Sequence, residues 1–361
     1  MAIRPSLAVV GATGAVGSTA LQMLSTRVDV WGEVRLVGAD RDVGQVETVR
    51  GQRVTVEPLT EELFADVDVA LFAVPDTVST TWAPVAAAHG TVVIDCSGAF
   101  RQDPDVPLVL PEVNPAQVRK RPRGIITSPN ATTTSVLTAL SPLHHGWGLS
   151  ELVVTSFQAV SGIGRAGVQR LYDEVGTLAG NRRVGQVPGD VRRAVSDLPE
   201  ISPFMGPIAY NVVPFAGRLM DGGWTSEEVR LRDESRKILG VPKLKVSATC
   251  VRVPVVSVHS LSVHATFASE ISVDAARQAL IEGPNYVVVL DDPASGEFPN
   301  PADVVGSDPT FVGRIRQSPD FPRSLELFVC SDNLRKGAAL NMVQLAELVA
   351  VELGAVIPED D

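Results

Sequence analysis

The chain has 361 residues, of which 45% are hydrophobic and 20% charged, so it has the composition of a globular protein and the length for two domains. Its net charge of −11 argues against a general nucleic-acid binder or a membrane-surface protein. No run approaches about 18 consecutive apolar residues, and the N-terminus lacks the regions of a signal peptide, so neither a transmembrane helix nor a secretory leader is expected.

The first part of the chain alternates strand and helix signals. A short apolar run predicts a strand at 6–10 that ends at Gly11, and a helix is predicted from about Ala15 to Thr26. Further strands are predicted at 34–38, 67–74 and 91–94. Short apolar runs separated by helices favour a parallel sheet of βαβ units, and therefore an α/β fold with an N-terminal Rossmann-type domain.

The pattern of strand and helix signals changes after about residue 128. Longer β-branched runs occupy 152–157, 246–256 and 260–267, and a Pro- and Gly-rich region surrounds 184–217. These runs predict an α+β domain with a mixed or antiparallel sheet. The segment 333–353 has helical spacing of its apolar residues and is predicted to be the last helix.

A glycine-rich loop follows the first predicted strand and opens the first predicted helix. Glycines permit the tight turn and the close approach of phosphate, and the helix N-terminus offers N–H groups to a pyrophosphate. The alternative is a plain structural turn. We predict a dinucleotide-binding loop formed by Gly11, Thr13, Gly14, Ala15, Val16 and Gly17.

A second turn lies at Ser128–Thr134, where Asn130 is a good N-cap for a helix predicted at 132–144. Ala131 is therefore expected near the first residue of that helix. The segment resembles the active-site turn of aspartate-semialdehyde dehydrogenases, which reads Asn-Cys-Thr with the cysteine as nucleophile. A thiolate at this place would be stabilised by the helix dipole, but alanine cannot attack a substrate.

Other motifs resemble the same family and occur in the family's order, from Gly11 to about Leu353. They are Ala99–Arg101 with Asp103–Pro107, Thr155–Gly162, Arg232–Lys237, Cys250–Ser260 and Asp332–Ala339.

The resemblance implies a role for each matched residue. For catalysis, it places Ala131 at the nucleophile position, His259 as the acid–base group and Gln158 as a residue that positions the substrate. For the substrates, it assigns Arg252 to the substrate carboxylate, Glu234 to the substrate amino group, Asn130 to a further substrate contact, and Arg101 and Lys237 to phosphate. The residues that it assigns to the cofactor are Arg41, Gly162 and Asn333.

Without the resemblance, several of these residues have simpler interpretations. Gln158 could be hydrogen-bonded at a strand edge, and Glu234 with Lys237 could be a surface ion pair. Arg252 and His259 are seven residues apart, which on one regular strand places them on opposite faces, although Pro254 argues against a regular strand. Val258 occupies a position where the family usually has Gly.

The remaining candidates are expected to be structural. His89, His144, His145 and His264 are interpreted as ordinary histidines of the fold. The basic run 119–123 is interpreted as a solvated loop. Cys96, Cys250 and Cys330 are widely spaced, predict no disulfide framework and no metal site, and are each expected to behave as a buried small hydrophobe in a reducing cytoplasm.

Cofactor choice is ambiguous in the sequence. The family holds the 2′-phosphate of NADP with a Ser and an Arg after the second strand; here Arg41 matches, but the Ser position is Ala39. Asp40 and Asp42 flank the Arg, and a carboxylate there usually takes the ribose hydroxyl of NAD. We expect NADP by resemblance, with NAD as the alternative.

The resemblance implies a phosphorylating NADP-dependent enzyme that interconverts aspartate 4-semialdehyde and 4-aspartyl phosphate in the biosynthesis of lysine, threonine, methionine and isoleucine. It also implies a homodimer formed through the second domain, and the cysteine usage predicts a cytoplasmic protein. The expected domains are 1–129 with 331–361 for dinucleotide binding, and 130–330 for catalysis and dimerisation. The sister family that reduces N-acetylglutamyl phosphate fits less well, because Glu234 and Arg252 suit a free amino acid.

Three hypotheses account for Ala131. The first is an engineered Cys→Ala change that holds substrate without turnover. The second is a naturally silent relative that serves as a binding or regulatory subunit. The third is an enzyme of altered, non-covalent chemistry on a related substrate.

Overall fold

The computed structural model describes residues 3–199, 201–283 and 286–357. The chain divides into two compact units. The first consists of Met1–Thr134, Glu234–Pro242 and Arg335–Asp361, and the second of Ser135–Asp233 and Lys243–Leu334. The first unit thus takes in 234–242, a segment that the sequence analysis placed in the catalytic domain.

The first unit contains a seven-stranded sheet. Its strands are β1 (Leu7–Val10), β2 (Val34–Val37), β3 (Val46–Val49), β4 (Gln52–Glu57), β5 (Val69–Phe72), β6 (Val92–Asp95) and β7 (Ile125–Thr127). The strand order is β3-β4-β2-β1-β5-β6-β7, and every pairing is parallel except β3 with β4. The α/β fold predicted from the sequence is confirmed.

Both faces of this sheet are covered. Leu7 and Val9 of β1 join one core with α1 (Ala15–Thr26) and α9 (Leu340–Glu352, the last helix in chain order), and Ala8 and Val10 join the other with α2 (Asp76–Ala88). A strand buried on both faces needs apolar residues at every position, which explains the continuous apolar runs in the sequence.

The second unit contains a six-stranded mixed sheet, as predicted. Its strands are β8 (Leu149–Gln158), β9 (Lys245–Arg252), β10 (His259–Phe267), β11 (Val287–Val289), β12 (Thr310–Arg316) and β13 (Ser324–Ser331), in the order β11-β12-β13-β10-β8-β9. β8 pairs in parallel with β9 on one side and antiparallel with β10 on the other.

The other helices follow in chain order. They are α3 (Ala131–Trp147), α4 (Arg165–Leu178), α5 (Asp190–Ala194), α6 (Ser226–Leu239), α7 (Val273–Glu282) and α8 (Pro301–Val304). Among the described residues, none of the helices has the length and apolar character needed to cross a membrane.

Two predicted elements differ from the structure. The strand predicted to reach Val256 ends at Arg252, because Pro254 has no N–H to donate and Val258 has a φ of +77°. The last helix is not one regular element: a π-helical turn at Arg335–Ala339 precedes α9.

Candidate functional site

The glycine loop of the first unit is built for close backbone packing. Gly11 has a φ of +88°, and a Cβ added there would clash with the carbonyl of Ala73. A Cβ on Gly17 would clash with the carbonyl of Gly11. Gly14 is the N-cap of α1 and provides no side-chain cap, so the backbone N–H groups at the helix start are not covered by a capping side chain. These features fit the pyrophosphate of a dinucleotide.

The short 3₁₀ turn Asp40–Asp42 follows β2 and contacts the glycine loop. The Thr13 hydroxyl donates to Oδ2 of Asp42 at 2.7 Å, and Gln45 donates to Oδ1 at 3.2 Å. The side chain of Arg41 is 86% exposed, with its Nε 3.7 Å from Asp42. Asp42 is therefore directed to the loop and Arg41 to solvent.

Position 131 is the first residue of α3, as the sequence predicts. The Asn130 side chain accepts the N–H of Thr132 at 2.9 Å, and its carbonyl accepts the N–H of Thr134 at 2.8 Å. This is the geometry of an N-cap. The side chain at 131 is a methyl group at a helix start, where a thiol would gain anionic character.

A buried carboxylate and a buried guanidinium hold this turn. Glu234 is fully buried; its Oε2 accepts the N–H of Asn130 at 2.8 Å and its Oε1 lies 3.3 Å from Arg101. Arg101 donates from Nε to the carbonyl of Ser128 at 2.9 Å and from Nη2 to that of Cys96 at 2.8 Å. The peptide segment just before the helix is thus fixed from two directions.

Lys237 lies one helical turn after Glu234 on α6 and is half-buried. Its ammonium donates to three backbone carbonyls, those of Arg101, Asp103 and Val106, each at 2.8 Å. Burial lowers the pKa of Lys237. The surface Glu–Lys ion pair considered from the sequence is not formed, because each partner bonds to other groups.

In the second unit, three of the predicted residues meet at one end of the mixed sheet. The register places Gln158 opposite Arg252, and Phe157 opposite Ser260 on the other side, so His259 follows beside Gln158. β8 therefore separates the strands that carry Arg252 and His259. This arrangement brings the two together, which their sequence spacing alone does not predict.

The turn after β8 completes this cluster. A Cβ on Gly162 would lie 2.6 Å from Nη1 of Arg252 and 3.2 Å from Nε2 of His259, so both side chains converge on a residue without one. Arg252 donates to the carbonyl of Ala159 at 3.0 Å, and the N–H of Ala159 donates to Nδ1 of His259 at 3.1 Å. Neutral His259 thus carries its proton on Nε2.

His259 is 3% exposed. Burial, and then the nearby Arg252 charge, hold the pKa of His259 well below its usual range. The imidazole is accordingly neutral at neutral pH.

Asn333 links two turns of the second unit. Its Oδ1 accepts the N–H of Val258 at 3.0 Å, and its Nδ2 donates to the Ser161 hydroxyl at 3.0 Å. Val258 keeps a positive φ although it is β-branched, and its buried side chain packs with Val304 and Cys330.

None of the three thiols resembles an activated nucleophile. Burial raises the pKa of Cys96 and of Cys330 to about 11 and that of Cys250 to about 12. Cys250 and Cys330 are buried as predicted, and Cys96 is partly exposed.

The residues expected to be structural have structural partners. His89 contacts Glu61, His264 contacts Glu326, and His144 accepts the N–H of Leu149. In the basic run, Arg121 pairs with Glu352 and Arg123 with Asp103, with the run largely exposed, as predicted.

Glu227 was not predicted from the sequence, and Ser128 was named only as the start of the turn, without a role of its own. Glu227 is 8% exposed and accepts from Gln158 at 3.3 Å. Ser128 anchors the turn through its carbonyl and also accepts from Asn341 at 2.8 Å. The sequence signals were weak, because an acidic residue in the first turn of a helix is common without any role in a site.

Comparison with known families agrees with this arrangement. The family described as "Semialdehyde dehydrogenase, NAD binding domain" matches residues 6–121, and "Semialdehyde dehydrogenase, dimerisation domain" matches residues 140–336. The aspartate-semialdehyde dehydrogenase of Corynebacterium glutamicum is 45% identical over 351 residues, covering 95% of this chain and 99% of that protein. The chain belongs to the aspartate-semialdehyde dehydrogenase family.

Other members of the family are similar over comparable lengths. The enzyme of Streptomyces akiyoshiensis is 45% identical over 347 residues, covering 96% of this chain and 98% of that protein. A crystal structure of aspartate semialdehyde dehydrogenase II from Vibrio cholerae complexed with ASA has a TM-score of 0.89 at 35% identity, with 97% of this chain and 99% of that chain covered. The Candida albicans enzyme with NADP has a TM-score of 0.70 at 25% identity, with 96% and 98% covered.

Proposed function

We propose that this chain binds NADP and L-aspartate 4-semialdehyde on the scaffold of its family, and that as written it does not complete the family's covalent reaction. The observation that carries the proposal lies at the start of α3. Asn130 caps the helix, and Glu234 and Arg101 hold the backbone of the turn before it. The side chain at position 131, however, is a methyl group.

In the first unit, the glycine loop is proposed to hold the cofactor, and Ala131 to occupy the nucleophile position with Asn130 beside it. Arg101 and Lys237 are proposed to bind phosphate.

In the second unit, Arg252 receives the substrate carboxylate, His259 handles the proton, and Gln158 orients the substrate, with Gly162 and Asn333 toward the cofactor. Glu234, which belongs to the first unit, is proposed for the substrate amino group. These roles rest on the family resemblance and on the burial and contacts described above.

The proposed reaction explains why one atom matters so much. A thiolate at 131 would form a bond to the aldehyde carbon, hydride would leave that carbon, and phosphate would then displace the thiolate from the resulting thioester. NADP held at the glycine loop would supply the hydride acceptor. An alanine methyl cannot form the first bond. The raised pKa values of Cys96, Cys250 and Cys330 argue against any of them as a substitute.

The test is Ala131→Cys, assayed for phosphate-dependent formation of NADPH and NADH from aspartate semialdehyde beside the unaltered chain. We expect the turnover rate of the variant to exceed that of the unaltered chain by about 10⁴-fold or more, since removing a covalent nucleophile typically lowers the rate by such a factor. Ala131→Ser is the matched control, because a hydroxyl without an activating base should restore nothing.

Other outcomes separate the hypotheses for Ala131. Turnover by the unaltered chain would favour non-covalent chemistry. An inactive Ala131→Cys variant would indicate a binding or regulatory protein. The codon at position 131 of the parent gene tests engineering: an alanine codon there refutes it.

For the cofactor, we infer a preference for NADP. The support is that Asp42 is engaged by Thr13 and Gln45, while the exposed Arg41 extends toward solvent. Arg41→Gln should weaken NADP binding about tenfold or more and leave NAD binding nearly unchanged, as measured by fluorescence titration of the reduced cofactors. A clear preference of the unaltered chain for NAD would overturn this inference.

We also infer a cytoplasmic homodimer. The matched dimerisation family at residues 140–336 supports the dimer, and three free cysteines suit a reducing compartment. Light scattering coupled to size exclusion tests the dimer: a single species at the monomer mass across micromolar concentrations would contradict it.

A further inference from the structure

The last helix, α9, carries an amide side chain in a stretch that is otherwise mostly apolar. Residues 340–346 are all buried, and Asn341 is completely so. Its Nδ2 donates to the Ser128 hydroxyl at 2.8 Å and to the carbonyl of Val109 at 3.3 Å, whereas its Oδ1 has no hydrogen-bond partner among the described residues. A buried polar atom without a partner destabilises the folded state. Stability alone therefore favours an apolar residue here, so the asparagine needs another explanation.

Ser128, the residue that Asn341 binds, is held by three different parts of the first unit. Its N–H donates to the carbonyl of Asp95, at the end of β6, at 2.8 Å. Its carbonyl accepts Nε of Arg101 at 2.9 Å, and its hydroxyl accepts Nδ2 of Asn341. The bond from Asn341 is the one that ties Ser128 to α9.

The chain between Ser128 and position 131 has little freedom to absorb a displacement of Ser128. The ring of Pro129 locks its φ at about −65°, and the residue before a proline is confined to extended conformations. Asn130 follows, with its side chain capping α3 and its N–H held by Glu234. A shift of Ser128 is therefore passed on to the start of α3.

We propose that Asn341 is a positioning residue that holds the Ser128 hydroxyl, and through Pro129 sets the place and direction of the first turn of α3. The inference rests on the proposed function for its effect on turnover, but not for its effect on a thiol placed at position 131. Asparagine suits the task because its NH₂ group has two donors, one for Ser128 and one for Val109.

The test uses the full chain with Ala131→Cys and adds one further change at a time. Asn341→Leu removes both donors at similar volume, and Ser128→Ala removes the acceptor. Thr91→Val is the matched control: Thr91 is 1% exposed, and its hydroxyl donates to the carbonyl of Val67 at 2.8 Å. Thr91 precedes β6, at the end of the sheet opposite to the turn that follows β7. Urea denaturation shows whether each variant is folded.

The first measurement needs no turnover. The rate at which iodoacetamide alkylates the introduced thiol is followed against pH, by mass spectrometry of the peptide that contains residue 131. A thiol aligned with the start of a helix ionises at lower pH. Asn341→Leu and Ser128→Ala should each raise the midpoint of this profile by about half a pH unit, and Thr91→Val should leave it in place. An unchanged midpoint in Asn341→Leu or Ser128→Ala, or an equal rise in Thr91→Val, would overturn the proposal.

The second measurement is the burst of NADPH formed from aspartate semialdehyde and NADP without phosphate. A displaced thiol approaches the aldehyde carbon in a poor geometry, so Asn341→Leu and Ser128→Ala should each slow the burst about tenfold or more. If Asn341 acts through Ser128, the variant with both changes should be no slower than the slower single variant. Multiplied effects would contradict action through Ser128.

The two measurements keep this inference separate from the proposed function. If Ala131→Cys gives no burst at all, the proposed function fails, and the alkylation profile still decides the role of Asn341. If Asn341→Leu does not fold, Ser128→Ala gives the same test from the acceptor side, and an unchanged profile there would overturn the proposal.

Discussion

The turn at 128–131 and the strand ends at 158, 252 and 259 are both buried polar clusters, but they satisfy their charges differently. At the turn, Glu234 uses both oxygens and Lys237 all three donors on protein groups. At the strand ends, His259 bonds through Nδ1, and its Nε2 faces the bare backbone of Gly162. The first cluster is bonded mainly to backbone groups of its own unit, whereas the second leaves Nε2 of His259 beside a residue without a side chain.

Motif resemblance alone does not separate groups that react from groups that position them. Glu234, Lys237 and His259 were matched to the family by the same kind of sequence argument. Counting donors and acceptors shows how they differ: all three N–H donors of Lys237 bond to the protein, whereas each oxygen of Glu234 accepts one bond and keeps a further lone pair.

The largest effect on stability is expected from Glu234→Gln. The change keeps the shape and leaves the buried Arg101 charge without its carboxylate, so the free energy of unfolding should fall by about 3 kcal/mol in urea denaturation.

The neighbouring Asp233 gives a matched control. It pairs with Arg232 at the surface, where the two side chains are 27% and 36% exposed, so Asp233→Asn should cost less than about 1 kcal/mol. Equal losses in the two variants would contradict the view that the turn is held by a buried ion pair.

A smaller effect should mark the strand-end region at Val258. Because a positive φ strains any residue with a Cβ, Val258→Gly should be more stable than Val258→Ala by about 1 kcal/mol, although both lose buried methyl groups. Val304 packs in the same cluster but belongs to α8, and glycine has a lower helix propensity than alanine. Val304→Gly should therefore be less stable than Val304→Ala. The same order at both positions, measured by thermal unfolding, would refute strain at Val258.

Local features were the ones that sequence could predict. The helix Ala15–Thr26 has the predicted bounds, because a glycine loop fixes its start and the apolar spacing its length. Asn130 caps α3 as expected, because capping depends on residues within one turn. The hairpin of β3 and β4 was missed, since these half-exposed strands lack a continuous apolar run.

Features that depend on strand order could not be predicted. Arg252 and His259 meet because β8 is inserted between β9 and β10, and no spacing along the chain contains that information. The three hydrogen bonds of the Lys237 ammonium could not be predicted either, since they are made to carbonyls more than 130 positions away in the sequence. The positive φ at Val258 could be suspected only from the family's preference for glycine there.

The proposal that this scaffold lacks only its nucleophile can be tested by measuring the mass of the protein after incubation with substrate and cofactor. Ala131→Cys and the unaltered chain would each be incubated with aspartate semialdehyde and NADP without phosphate, and then analysed by intact mass and peptide mapping. We expect a covalent adduct on the peptide that contains residue 131 in the variant and no adduct on the unaltered chain. No adduct on the variant, or an adduct on Cys96 of the unaltered chain, would contradict the claim that this scaffold lacks only its nucleophile.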